Sequence, residues 1–200
     1  MFCLFESLGH RACGVDLASA MVDLCRRKSR NRESSIEFRA ADAESLPFPD
    51  GTFDVVHARH LLWTLPRPGV ALREWLRVLR AGGRLVVVES CWRRQASRSM
   101  SCGPRVKRVI GRLVTRVAAG SAPPPPPKRN WDYPGRALLP LYGGLDPAIL
   151  GALLERVGLQ LVRVQDLRWL LSKSRASMPW YWRWMADEME AYHLGWGIRP

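Results

Sequence analysis

Residues 10–21 read HRACGVDLASAM: a short apolar run halted by a carboxylate, Asp16, and followed closely by Ser19, which can start a helix. Gly9, just ahead of the run, suits the cap of a preceding helix. A strand over residues 10–16 is therefore expected. A helix should follow from Ser19 to about Arg30, with Met21, Val22 and Leu24-Cys25 on its inner face.

The same alternation repeats downstream. Residues 36–40 read as a strand, followed by Asp42 and the proline-containing loop LPFPDG at 46–51. Residues 53–58 (FDVVHA) form the next expected strand. Pro68 suits the first turn of a helix in which Leu72, Trp75, Leu76 and Leu79 recur at helical spacing. Gly82-Gly83 ends that unit, and RLVVVE at 84–89 is another strand. Asp146-Pro147 is a cap and first-turn pair ahead of a helix with Ile149, Leu150, Leu153, Leu154 and Val157 on one face and Gly158 as its stop. Strands over 159–166 and 192–198 complete the series. Strands alternating with helices imply an α/β fold, a mostly parallel sheet covered by helices on both faces.

Composition narrows the class. Two hundred residues at 47% hydrophobic suit one α/β domain, and no run approaches the ~18 apolar residues of a membrane span. The first residues, MFCLFE, lack the basic and apolar regions of a secretory signal. Five scattered cysteines without a C-x-x-C pair point to a reduced, cytoplasmic chain with no metal site. The net charge of +13 is concentrated: residues 90–131 hold ten Arg and Lys and no acid. Such a block suits nucleic-acid contact, but also an ordinary basic surface.

Four blocks carry a resemblance. GVDLASAM at 14–21, ADAESLPF at 41–48, GTFDVV at 51–56 and LRVLRAGGRL at 76–85 occur in this order over about residues 4–92. Together they resemble class I S-adenosylmethionine-dependent methyltransferases of the small-molecule branch. The resemblance implies a Rossmann-like sheet and S-adenosylmethionine as cofactor. Asp16, with Leu17 beside it, stands where the family's acid accepts from the ribose diol; a surface turn acid is the competing reading. Asp42 stands where an acid accepts from the adenine amino group, with the Ala43 N–H available to a ring nitrogen; a loop role competes. Met21 resembles the apolar residue against the adenine face, against a reading as core. Arg59 and His60 occupy the place near the methionine end of the cofactor. His60 is the candidate general base, because its ordinary pKa lies near neutrality; a structural histidine competes, since in-line methyl transfer needs no obligatory base.

The sequence departs from the family at its start. An acid followed by G-x-G-x-G should precede the ribose acid by about 20 residues, but only fifteen residues precede Asp16 and none forms that motif. The expectation is a truncated chain, lacking the first strand of the sheet. That strand belongs between those ending at Asp16 and Ala58, so its loss would leave two open strand edges. Cofactor affinity and activity should suffer.

Three regions are expected: 1–92, an incomplete cofactor-binding core; 93–145, a variable basic lid with the polyproline stretch APPPPPK; and 146–200, a helix and strands that complete the sheet. The lid includes a basic amphipathic helix from Pro104 to Val117. The expected function is methyl transfer to a small-molecule acceptor. Two alternatives are an RNA-modifying methyltransferase that contacts RNA through residues 93–129, and an inactive methyltransferase-like interaction module.

Overall fold

The computed structural model describes residues 2–31, 34, 36–91, 135–167, 169 and 192–200. The expected helix from Pro104, the polyproline stretch and most of the C-terminal tryptophans lie outside these residues. In chain order the elements are α1 (Phe2–Ser7), β1 (Cys13–Asp16), α2 (Ser19–Arg30), β2 (Glu37–Ala40) and β3 (Phe53–Arg59). After them come α3 (Pro68–Val78), β4 (Leu79–Ser90), α4 (Pro147–Arg156), β5 (Gln160–Asp166) and β6 (Tyr192–Ile198).

The strands form two separate pieces. β1 pairs parallel with β2, and the other four strands run in the order β3-β4-β6-β5. β3 is parallel to β4, while β6 is antiparallel to both β4 and β5, so only β6 reverses direction in its piece. Among the described residues no strand pairs with the outer edge of β1 or of β3. The sheet is thus divided between β1 and β3, where the resemblance places a further strand.

Unequal cores serve the two pieces. Thirteen buried residues, among them Leu62, Leu72, Trp75, Leu85, Val87, Leu150 and Leu154, pack β3–β6 against α3 and α4. Under the two-stranded piece the buried apolar cluster is Val22, Ile36 and Phe38, with Ala12 and Cys25 against them. Burial of an aliphatic side chain stabilises by about 1.5–3 kcal/mol, so the second cluster is much the weaker.

Hydrogen bonds to α3 hold the weaker piece in place. The loop that leaves β2 lies along this helix: Trp75 Nε1 donates to the Ala43 carbonyl at 2.9 Å, and Leu46 N–H donates to Glu74 Oε1 at 2.8 Å. Arg77 donates to the Phe48 and Leu46 carbonyls and to the carboxylates of Asp50 and Glu74. Glu44, buried, accepts from both the N–H and Nε of Arg67. At the far end of the same region, Ser34 Oγ donates to Glu6 of α1, whose neighbour Phe5 packs edge-on against His57 of β3.

Several expected details are corrected. The cap position of α2 is Ala18, and Ser19 is the first helical residue. Met21 is 47% exposed instead of facing inward, because Val22 takes the buried position. Ile149 is likewise exposed. Leu79 is not the last residue of a helix but the first of β4, which starts five residues before the expected Arg84. A bulge allows this: Phe53 pairs with Leu79 and Val55 with Arg84, so residues 80–83 bow out between them. Gly82 has φ +73, and a Cβ on Gly83 would lie 2.8 Å from the Arg80 carbonyl oxygen, so side chains are excluded at this turn. The Asp146 cap stands as expected, its carboxylate accepting from Ala148 N–H at 3.0 Å.

Trp75→Phe keeps an aromatic ring but removes the donor to Ala43. We expect it to cost about 1–3 kcal/mol by chemical denaturation. Hydrogen exchange should also rise in Cys13–Asp16 and Glu37–Ala40 before it rises in β4. Equal loss of protection in both pieces would contradict this.

Candidate functional site

Asp16 is the last residue of β1 and pairs with Ala40, the last residue of β2. Ala41 N–H donates to the Asp16 carbonyl at 3.1 Å. Asp42 follows two residues beyond Ala40, so both acids stand at the carboxyl ends of neighbouring parallel strands, which run ~4.8 Å apart. Each closes a local turn with one oxygen: Asp16 Oδ1 accepts from Ala18 N–H and Asp42 Oδ1 from Glu44 N–H, both at 2.8 Å. Both side chains are exposed, with the second oxygen of each turned to neither turn. The carboxylates are fixed in place yet keep capacity to accept. The turn role and a ligand role are therefore compatible.

Apolar surface lies beside them. Leu17 is 75% and Met21 47% exposed, so neither belongs to the core. Exposure of large apolar side chains together is informative where a single one is not. A small cavity of about 50 Å³ is lined by Gly14, Val15, Asp16, Val22, Cys25 and Phe38. It is no larger than a few water molecules. Ala43 has its carbonyl engaged by Trp75 Nε1.

Arg59 and His60 belong to the other piece, at the carboxyl end of β3. Arg59 is exposed, with its guanidinium carbon 5.9 Å from the centre of the Tyr192 ring. His60 has φ +53, uncommon outside glycine, and is held there by its N–H donating to the Val88 carbonyl at 2.9 Å. Its ring lies 5.1 Å from that of Tyr192. Asp16, Leu17, Met21, Asp42 and Ala43 thus share one piece of the sheet and Arg59 and His60 the other, joined through the clasp on α3.

The sequence reading missed two acids. Glu44 passed for an ordinary loop residue, though it is buried and anchors Arg67. Glu89 passed for the polar end of a strand. It is wholly buried; Oε1 accepts from the N–H groups of Leu61 and Leu62 at 3.0 and 2.9 Å, and Oε2 lies 3.9 Å from His60 Nδ1. A charge inside the apolar run LVVVES was the available signal. Burial pushes the Glu89 carboxyl up to about 7, against the opposing pull of its two backbone donors. Burial and the neighbouring Arg59 push His57 down.

The N-terminal blocks and the fold agree with known proteins. Residues 1–87 match the family model described as a methyltransferase domain. Demethylmenaquinone methyltransferase of Thermus thermophilus is 43% identical over 81 residues, which are 40% of this chain and 37% of that protein. The match therefore spans little more than a third of that relative's length. Two solved structures show the fold. A putative methyltransferase from Bacillus halodurans has a TM-score of 0.55 at 17% identity, covering 96% of this chain and 84% of that one. Phosphoethanolamine N-methyltransferase 2 of Haemonchus contortus, in complex with phosphomonomethylethanolamine and S-adenosylhomocysteine, has a TM-score of 0.61 at 12% identity, covering 98% and 45%. The fold is that of a Rossmann-like α/β protein. The match of residues 1–87 to a methyltransferase domain bears out the resemblance to class I S-adenosylmethionine-dependent methyltransferases. Among the described residues no helix is long and apolar enough to cross a membrane.

The raised Glu89 pKa carries a sign. The folded carboxyl keeps its proton to about 7 while the unfolded one releases it near 4.5, so stability declines as pH climbs between those values. The slope is at most about 1.4 kcal/mol per pH unit. Urea denaturation at pH 5 and at pH 7.5 should show the difference between wild type and Glu89→Gln shifting against the wild type at the higher pH. Parallel pH curves would contradict the assignment.

Proposed function

We propose that this protein binds S-adenosylmethionine and transfers its methyl group to a small-molecule acceptor. The observation that carries this reading is the pair Asp16 and Asp42 at the tips of adjacent strands, with Leu17 and Met21 exposed beside them. The arrangement fits an adenosine: Asp16 accepts from the ribose hydroxyls, Asp42 accepts from the adenine amino group, and the Ala43 N–H donates to a ring nitrogen. Leu17 and Met21 cover the apolar base. Arg59 and His60 border the methionine end, and His60 is the group that takes up a proton when the acceptor carries one.

S-Adenosylmethionine, when bound, supplies an electrophilic methyl group on a sulfonium sulfur. The residues of this chain hold the adenosine, keep water from its base and orient the reacting end, which is where most of the acceleration of a direct displacement arises. The acceptor class follows the Thermus relative, whose name points to demethylmenaquinone as the first acceptor to try.

Isothermal calorimetry with S-adenosylhomocysteine tests the reading. Binding is expected, and Asp16→Ala and Asp42→Ala should each weaken it by about 10-fold to 100-fold, the worth of a hydrogen bond to a charged acceptor. Absence of binding, or affinity indifferent to both substitutions, would reject it.

A further inference from the structure

We propose that Glu44 is a positioning residue for Asp42 and makes the site select adenine over hypoxanthine, its deaminated counterpart. This rests on the function proposed above and adds to it the residue that decides which base is accepted.

Glu44 lies in the turn that follows β2 and is buried, with its side chain 4% exposed. A buried carboxylate is costly unless its oxygens are filled. Both are: Oε1 accepts from the Arg67 N–H at 2.8 Å and Oε2 from Arg67 Nε at 2.7 Å. Arg67 is the N-cap of α3, the end at which the helix dipole favours negative charge. In a capping box an acid three residues into the helix reaches back to the N-cap N–H, but Val70 stands at that position here. Glu44 fills the place from another part of the chain.

The consequence for Asp42 runs through one peptide group. The Glu44 N–H donates to Asp42 Oδ1 at 2.8 Å, so the aim of that N–H sets the bearing of the Asp42 carboxylate. Ser45 N–H donates to the Asp42 carbonyl at 3.0 Å, and Trp75 Nε1 to the Ala43 carbonyl at 2.9 Å. Residues 42–44 are thus each pinned by a different group. Attachment of the loop to α3 does not need Glu44, because Trp75 holds Ala43 while Glu74 and Arg77 hold Leu46 and Phe48. What Glu44 adds is the orientation of its own N–H, the one aimed at Asp42.

Orientation matters because the two bases differ at the edge that Asp42 and Ala43 meet in the proposed arrangement. Adenine offers an amino group that donates and a ring nitrogen that accepts. Hypoxanthine offers a carbonyl that accepts and a ring N–H that donates. A fixed carboxylate followed by a fixed N–H opposes both hypoxanthine groups, and polar groups left unpaired are what rejects a wrong ligand. A carboxylate able to turn would swing away from the carbonyl, and most of that penalty would vanish.

The test is calorimetry with S-adenosylhomocysteine and S-inosylhomocysteine on wild type and Glu44→Gln. Wild type should bind the adenosyl ligand about 10-fold or more tightly than the inosyl one, the worth of a hydrogen bond to a charged group. Gln keeps the length of Glu but sets an amide NH2 against one of the two Arg67 donors. The preference should then fall by about 5-fold or more. A merely structural loss weakens both ligands alike, so an unchanged ratio overturns the proposal. Should Glu44→Gln fail to fold, Arg67→Ala takes its place: the Nε donor goes, the backbone N–H stays, and the ratio should again fall. An unchanged ratio there has the same meaning. Equal binding of both ligands by wild type overturns this proposal and leaves the proposed function standing; binding of neither rejects both.

Discussion

The architecture depends on the clasp between α3 and the loop that leaves β2. With no strand pairing between the two pieces of sheet among the described residues, backbone ladders cannot set their relation. Trp75, Glu74 and Arg77 do it instead, by engaging the carbonyls of Ala43, Leu46 and Phe48 and the N–H of Leu46. Arg67, the N-cap of the helix, and Glu44 add a second attachment. Edge strands left open are a liability in any sheet. Here the small core of Val22, Ile36 and Phe38 is held to the large one by hydrogen bonds to α3, with Phe5 of α1 against His57 of β3 as a further contact.

That attachment has a chemical consequence. The residues proposed to face the nucleoside sit on the weak piece, and those proposed for the reacting end sit on the strong one. Direct displacement is sensitive to alignment, and small misplacements cost large factors in rate. The clasp therefore does more than stabilise: it sets the distance between the residues proposed to hold the cofactor and the residue proposed to receive the acceptor's proton. Asp16 and Asp42 gain local rigidity from their own turns, but turns fix a side chain only relative to its own strand.

Much of the fold was legible because hydrophobic period and punctuation agreed. The alternation over 53–58 and the acid-proline start at Asp146 placed β3 and α4 to within a residue or two, and residues 192–198 gave β6. No acid-G-x-G-x-G motif precedes Asp16 in the sequence, and among the described residues no strand pairs with the outer edges of β1 and β3. What escaped had tertiary causes. β4 begins at Leu79 because a bulge absorbs residues that look like a turn. Met21 faces outward because α2 buries only Val22 and Ser29 among its described side chains. Glu44 and Glu89 look like surface acids in the sequence, and only the packing of α3 and the turn after His60 explains their burial. The proposed nucleoside acids were readable from their place at strand ends, as were Arg59 and His60 on the other piece; the buried Glu89 beside His60 was not.

The clasp is tested most directly by Arg77→Met, which keeps apolar length but removes the hydrogen bonds that the Arg77 side chain gives to the loop. Calorimetric affinity for S-adenosylhomocysteine should fall although residue 77 touches no part of the proposed nucleoside site, while amide protection in β4 and β6 stays as in wild type. Unchanged affinity in a protein whose loop has lost that anchor would contradict the account.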